Sequence, residues 1–301
     1  MKPLIIHRAG EAILGRDGLD LDGLPQEFQR LYPSESPKYI DPLSLLAGVA
    51  AGRALKGYGP LSSDQTRRHF AVVLGSAFGA IDSSLDFDRQ ALLSGPNTVN
   101  PMDFPNTVAN AAGSRVGIWL QLKGPNVTLT NGETSLIDAI GFAWEGYHAG
   151  LFQHCLVGAA EKVPPPLKPL ADPSQAAPEF MEGAFLLASG EDGDDFLFQV
   201  ADYFAVQMKP DSSLPKPFLS RFERLWQGAS WLGCPMETAL EPLFPPHIVR
   251  YAPNQSVLEL GLSGYGSLKS FLSSSQSCGV VAVFSKRERK FSCIKIRKKE
   301  D

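Results

Sequence analysis

Glu133 sits at a corner of the chain. Ahead of it, "NVTLT" (126–130) is a β-branched run that ends in the turn pair Asn131-Gly132. Behind it, Leu136, Ile140, Ala143, Trp144 and Tyr147 recur at helical spacing and form one apolar stripe. A strand-to-helix turn of this kind holds a side chain beside the free N–H groups and the positive end of the helix, a setting in which many enzymes seat a nucleophile. A carboxylate is a weak nucleophile, but it suits the place in another way. Glu133 shares a helical side with Ile137, Ile140 and Trp144, which aims it at the buried face, while Asp138 and Glu145 are expected to point away. The helix start offsets part of its desolvation, by ~0.3–1 kcal/mol. Two readings stand: Glu133 caps its helix, or it occupies a position at which a related chain keeps a reactive group.

The other side chains with chemical potential are dispersed. Cys155, Cys234, Cys278 and Cys293 form no CxxC pair, and no histidine lies at zinc-ligand spacing from them, so no metal site is expected. They are expected to be reduced thiols of a cytoplasmic protein, with Cys155, inside the apolar run "HCLVGAAE", a packing residue. His7, His69, His148, His154 and His247 are expected to be structural or exposed. "NVT" at Asn126 has the form of a glycosylation site that a cytoplasmic chain would never present to that machinery.

The 301 residues, 44% hydrophobic and 20% charged, suffice for one large domain or two fused halves with a sizeable core. A net charge of −4 gives no reason to expect a nucleic-acid partner. No apolar run approaches the ~20 residues of a bilayer span, so no membrane association is expected. The start "MKPLIIHRAGEAILG" reads as a strand rather than a signal peptide.

Strands and helices alternate. "DPLSLLAGVAAGRAL" (41–55) reads as a helix with Asp41 at the N-cap and Pro42 at the first position. "HFAVVLGSAFGA" is a buried strand entering a Gly-rich turn, "NTVANAAGSRVGIWLQL" a helix, and "HCLVGAAE" a further strand. This βαβα pattern predicts an α/β layered fold with a largely parallel sheet. "KVPPPLKPLADPSQAAP" (162–178), with five prolines among its first twelve residues, interrupts it. The organisation read from this is an N-terminal half, 1–163, a Pro-rich connector, 164–178, and a shortened C-terminal half, 179–301. In the latter, "GAFLLASG" and "FLFQVADYFAV" read as strands, "FLSRFERLWQ" and "GSLKSFLSSS" as helices, and "GVVAVFSK" with "KFSCIKIRK" as a hairpin.

Four stretches together, "VVLGSAFGA", "NPMDFPNTVANAAGSRVGIWLQLKGPNVTLT", "SLIDAIGFAWEGYHAG" and "CLVGAAE", resemble the β-ketoacyl synthases in order and spacing. "YIDPLSLLAGVAAGRAL" before them and "EFMEGAFLLAS" after them are weaker echoes. The resemblance implies the thiolase-like layered fold, α-β-α-β-α, with two related halves, the second shortened here. In active members of that family the corner residue is a cysteine that takes an acyl chain from a carrier protein, and two histidines of the second half promote malonyl decarboxylation. Aligned on "KGPNVTLTNGETSLIDAIG", the cysteine position falls on Glu133. The first family histidine lies in a His-Gly-Thr motif that has no counterpart in this sequence. The second follows a glycine; its nearest counterpart is Leu262 after Gly261, and the late Gly-Phe-Gly-Gly loop is missing.

With those three groups replaced, no catalytic residue is assigned, and the resemblance is to a chain-length factor. This is the non-catalytic partner of a ketosynthase in a heterodimer, where the corner cysteine is commonly a polar residue such as glutamine. It implies pairing through the edge strand "NVTLT", with Thr128 and Thr130 at the contact. Phe104, Thr107, Val108 and Ala111 would border the acyl tunnel, a bulky side chain there shortening the cavity. The competing reading makes Phe104 and Val108, at i and i+4, simple core. No bound cofactor is implied; the chain would act with a phosphopantetheinylated acyl carrier protein in polyketide, aryl polyene or fatty-acid synthesis. The cluster Lys286, Arg287, Arg289, Lys290, Arg297, Lys298 and Lys299 either aids docking of that acidic protein or is a solvated turn and tail. Two alternatives stand beside this: a ketosynthase-like malonyl decarboxylase or acyltransferase, and a homodimeric acyl-binding scaffold.

Overall fold

The computed structural model describes residues 3–15, 19–163, 181–190, 196–208, 219–229, 231–233, 249–251, 264–285 and 289–299. Within them the first part of the chain runs β1 (Leu4–Ile13), α1 (Leu24–Leu31), α2 (Pro42–Leu55), α3 (Asp64–Arg68), β2 (Phe70–Gly75), α4 (Ile81–Ser94), α5 (Ala111–Trp119), β3 (Asn126–Leu129), α6 (Ser135–His148), β4 (His154–Lys162) and β5 (Met181–Ser189). Then come β6 (Phe198–Gln207), α7 (Leu219–Trp226), β7 (Trp231–Gly233), β8 (Val249–Tyr251), α8 (Tyr265–Ser273), β9 (Cys278–Ser285) and β10 (Lys290–Arg297). Asp41 caps α2 as its position before Pro42 requires, its carboxylate accepting from the Ser44 N–H at 2.9 Å. The Pro-rich connector lies outside the described residues. No helix among the described residues is long and apolar enough to cross a membrane.

The strands hydrogen-bond in the order β3-β2-β4-β5-β1-β6-β10-β9-β7-β8. The second group repeats the first: β8-β7-β9-β10-β6 takes its strands in the same chain order as β3-β2-β4-β5-β1. The senses repeat too. β2 and β7 are parallel to both of their neighbours, while β4–β5–β1 and β9–β10–β6 are antiparallel. Residues 4–6 of β1 pair with 198–200 of β6 and join the groups. The sheet is therefore mixed and not largely parallel. Helical crossovers such as α6 enforce parallel pairing only around β2 and β7, whereas the β9–β10 hairpin and the chain-opening strand β1 have no such crossover. β5, although it follows the connector in sequence, completes the first group.

Three apolar clusters show how the layers stack. Phe70, Val72 and Leu74 of β2 face α1, α2 and α5, while Ala71 and Val73 face α6. The cluster around α6 and α8 also contains Val281 and Val283 of β9 and Ile294 and Ile296 of β10. The third cluster joins the other face of β9 and β10 to Leu225 and Trp226 of α7. The layers are thus helices, strands, the central helices α6 and α8, strands, helix. Both faces of β2 and β4 are covered, which is why each reads as a mostly apolar run.

Contact between layers is close enough to make small residues obligatory. A Cβ on Gly10 of β1 would fall 2.2 Å from the Ala50 carbonyl oxygen and 2.3 Å from the Ala54 nitrogen, backbone atoms of α2 that cannot rotate aside. Gly10→Ala is expected to destabilise the protein by ~1–3 kcal/mol through overpacking. Gly59→Ala, with nothing within 4 Å of the added carbon, is expected to leave the urea midpoint unchanged.

Candidate functional site

The corner after β3 is a single 3-10 turn, Gly132–Thr134, which Gly132 enters at φ 58°. Thr134, not Glu133, occupies the cap position of α6, so Glu133 precedes the helix proper and is half-buried. The turn lies against β9 and β10 of the second group of strands. The other central helix, α8, is likewise entered through a left-handed glycine, Gly264 at φ 93°. A Cβ on Gly264 would approach Ile137 of α6 to 3.0 Å, so the start of α8 packs beside the first turns of α6. Leu262 lies outside the described residues.

Asp138 was expected to face away from the core, and the structure reverses this. Its side chain is 3% exposed. Oδ2 accepts from Asn131 Nδ2 at 2.9 Å and from Lys290 Nζ at 2.5 Å, with Thr134 Oγ1 at 2.8 Å. Oδ1 accepts from the Tyr203 hydroxyl at 2.9 Å and from Ser292 Oγ at 2.7 Å. The helical stripe misleads here because α6 lies between two groups of strands and has no solvent-facing side along its first two turns. Glu145, farther along, is exposed as expected. Lys290 therefore does not belong to a solvated basic turn: it reaches inward to Asp138. Lys298 donates to the Ser274 carbonyl and lies 5.1 Å above the Phe271 ring. Lys286 and Arg287 lie outside the described residues. The i, i+4 spacing of Thr134 and Asp138 was the one local signal of this network.

Serine and glutamate side chains fix the corner from its other side. Ser135 Oγ accepts from the Asn131 N–H at 3.0 Å and lies 3.0 Å from the Ser76 carbonyl oxygen and 2.7 Å from that of Gly132. Glu161, at the end of β4, is fully buried and binds the loop after β2.

The other cysteines and histidines of the described residues lie in packed surroundings or on the surface. Cys155 is buried against β2, and desolvation pushes its thiol far above the usual range. Cys278 and Cys293 are buried and in no disulfide among the described residues; Cys234 and His247 lie outside the described residues. His154 is buried against the Phe70 ring and lies 3.1 Å from the Tyr58 hydroxyl, and His148 Nδ1 meets the Trp144 carbonyl oxygen at 2.6 Å.

The candidate tunnel residues form a different surface. Phe104 is 59% exposed and Val108 43%, which removes the reading of both as core. The segment 100–110 is a 3-10 helix followed by turns, and α5 starts only at Ala111. Ala111 is buried, Thr107 partly so, and Phe104 meets Phe87 of α4 edge-on at 6.0 Å. Val108 and Ala111 line an open cleft of about 350 Å³ with Tyr39, Met102 and Ile118. α5 also packs on β3, which among the described residues pairs with β2 on one side and with no strand on the other. Thr128 on β3 is partly buried, its hydroxyl without a hydrogen-bond partner among the described residues; Thr130, just beyond, is exposed. Met102 and Ile118 are exposed on the same face, and Leu85, Leu92 and Leu93 on α4.

Residues 8–170, more than half of the chain, match the family description "Beta-ketoacyl synthase, N-terminal domain". A 3-oxoacyl-[acyl-carrier-protein] synthase 2 of Vibrio cholerae is 30% identical over 122 residues, which are 40% of this chain and 29% of the relative. The matched stretch thus spans about a third or less of that relative's length. Two solved structures share the fold over nearly the whole of both chains. "The ishigamide ketosynthase/chain length factor" superposes with a TM-score of 0.74 at 18% identity, covering 98% of this chain and 99% of the other. A ketosynthase in complex with its chain length factor from Xenorhabdus doucetiae gives 0.71 at 11% identity, covering 99% and 98%.

Removing the buried charge at the centre of the corner should be costly. Asp138→Ala leaves Lys290 without its counter-charge and is expected to destabilise by ~3–5 kcal/mol. In a cycle with Lys290→Met, urea unfolding should give a coupling of ~1 kcal/mol or more; additive effects would show that the ion pair contributes nothing.

Proposed function

Since the chain belongs to the β-ketoacyl synthase family, we propose that it is a non-catalytic chain-length factor, the partner of an active ketosynthase, which completes the wall of the chamber where a carrier-protein-bound chain grows. The observation that carries this reading is the exposure of Phe104, Val108, Met102 and Ile118 on α5 and the segment leading into it, together with the outer edge of β3, on which α5 packs and which pairs with no described strand. Exposed apolar side chains and an open sheet edge on one chain fit a surface that pairs with another chain. The likeness to structures described as ketosynthase and chain-length-factor pairs supports the same reading.

At the corner, a carboxylate stands where the resemblance places a thiol. At the pH of the cell a carboxylate is a poor acyl acceptor, so Glu133 fills the position without accepting the growing chain. The work of this subunit is then steric. β3 extends the partner's sheet, and the 104–111 segment projects side chains toward the partner's chamber, setting the depth to which an acyl chain can extend. Carrier protein delivers substrate to the partner's cysteine, and this chain supplies shape and exclusion of water.

Co-expression with a cognate ketosynthase tests this. Condensation is expected from the pair and not from this chain alone, with Glu133→Gln leaving the rate within about twofold of wild type. Phe104→Ala should lengthen the products, read by mass spectrometry, and Ala111→Phe should shorten them. A stable homodimer that ignores every ketosynthase offered, or malonyl decarboxylation by the isolated chain, would overturn the proposal.

A further inference from the structure

Glu161 is a fully buried acid whose carboxylate sits in a cup of donors from one loop. Oε2 accepts from the Ala77 N–H at 2.5 Å, and Oε1 from the Phe78 N–H and the Ser76 hydroxyl, both at 3.2 Å. Ser76 Oγ in turn accepts from the Gly79 N–H at 2.8 Å. One side chain of β4 therefore organises every residue of the loop 76–79 that leaves β2, an arrangement in which consecutive N–H groups enclose an anion. The loop passes its position on. Gly79, at φ 56°, lies close enough to Ala109 that an added Cβ would sit 3.4 Å from it. From α4, which the loop starts, Ser84 Oγ donates to the Thr107 carbonyl at 2.7 Å and the Phe87 ring meets Phe104. α4 itself buries none of its side chains, so the loop and these contacts hold it in place.

The charged surroundings are sparse. β2 carries no ionisable residue. Glu182 of β5 stands opposite Glu161 in register and on the same face. Lys162 is on the other face, ion-paired with Asp82 of α4, near Asp41 at the start of α2. Asp138 of α6 is committed to Lys290. What holds the Glu161 carboxylate is a set of hydrogen-bond donors.

We propose that Glu161 is a clasp that positions the 104–109 segment through the 76–79 loop and α4. In the pairing proposed above, on which this part rests, it thereby tunes how far Phe104 and Thr107 reach into the partner's chamber.

Burial pushes the Glu161 carboxyl up to about 7, against the pull of its hydrogen bonds, so its charge changes across neutrality. The folded loop favours the protonated form. Opening that hydrates the carboxylate returns it toward its ordinary value of 4.5, so opening becomes easier as pH rises from there to about 7 and levels off above.

Hydrogen exchange of the purified chain between pH 5.5 and 8, corrected for intrinsic rates, reads this directly. Protection of amides 77–80 and 104–110 should fall by roughly tenfold or more across the window, and in Glu161→Gln it should be independent of pH. Amides of β6 and β10 should be unaffected in both proteins. The same pH slope in both proteins, or a loss of protection spread over the whole chain, would overturn the clasp. Should Glu161→Gln fail to fold, the wild-type measurement decides alone: no local fall with pH sinks the idea. With the ketosynthase pair, Glu161→Gln should broaden the product-length distribution. An unchanged distribution where Phe104→Ala does alter it would remove the chamber arm of the proposal. Silence of both variants, with the exchange response intact, would locate the failure in the pairing and not in the clasp.

Discussion

The first two turns of α6 have no side open to water, and that constraint orders much of the structure. The helix lies between two groups of strands, so any polar group on it must find its partners inside the protein. Asp138 does so with five donors drawn from three places: the corner itself, β6 and β10. An ionised carboxylate held by a lysine and several hydroxyl and amide groups is the arrangement under which burial of charge is tolerated. It also ties the turn carrying Glu133 to the second group of strands. Asp138 and Ser135 thus help decide the position of that turn.

The surface carries the opposite message. β2 and β4 bury both faces, yet Met102, Phe104, Val108 and Ile118 remain exposed, and the outer edge of β3 pairs with no described strand. A chain able to bury Val73 and Cys155 completely does not leave Phe104 and Ile118 half or more exposed for want of a core. The interior is closed, and one flank keeps apolar side chains in solvent. Glu161 connects these two regimes, since it is buried as deeply as any core residue and its hydrogen bonds end in the loop that starts α4, whose Ser84 and Phe87 meet Thr107 and Phe104. The repeated strand order adds a further point: α6 and α8 occupy equivalent places, each entered through a left-handed glycine, so the two helix starts meet by construction of the fold.

Wherever the controlling physics was local, the sequence was enough. Asp41-Pro42 announced the start of α2, "NVTLTNG" announced a strand and its corner, and the charged turn between "GVVAVFSK" and "KFSCIKIRK" announced a hairpin. The layered α/β class and the placement of Glu133 at the corner followed from the same local patterns and the resemblance they carry. Cap chemistry, β-branching and helical periodicity act over a few residues, and a linear reading captures them.

Tertiary structure decided what depends on which faces are covered. Periodicity assigned Asp138 and Lys290 to solvent because it assumes that a helix has one wet side and that a charged turn stays in water. Residues 152 positions apart in the chain meet only because the second group of strands closes over α6. The i, i+4 spacing of Phe104 and Val108 was compatible with core or with contact surface, and only the 3-10 path of their segment exposes both. Sequence by itself determined the pieces and the identity of the corner residue; the stacking of two alike sheet groups determined which charges are buried, because burial is a property of the neighbours that a residue acquires and not of the residue.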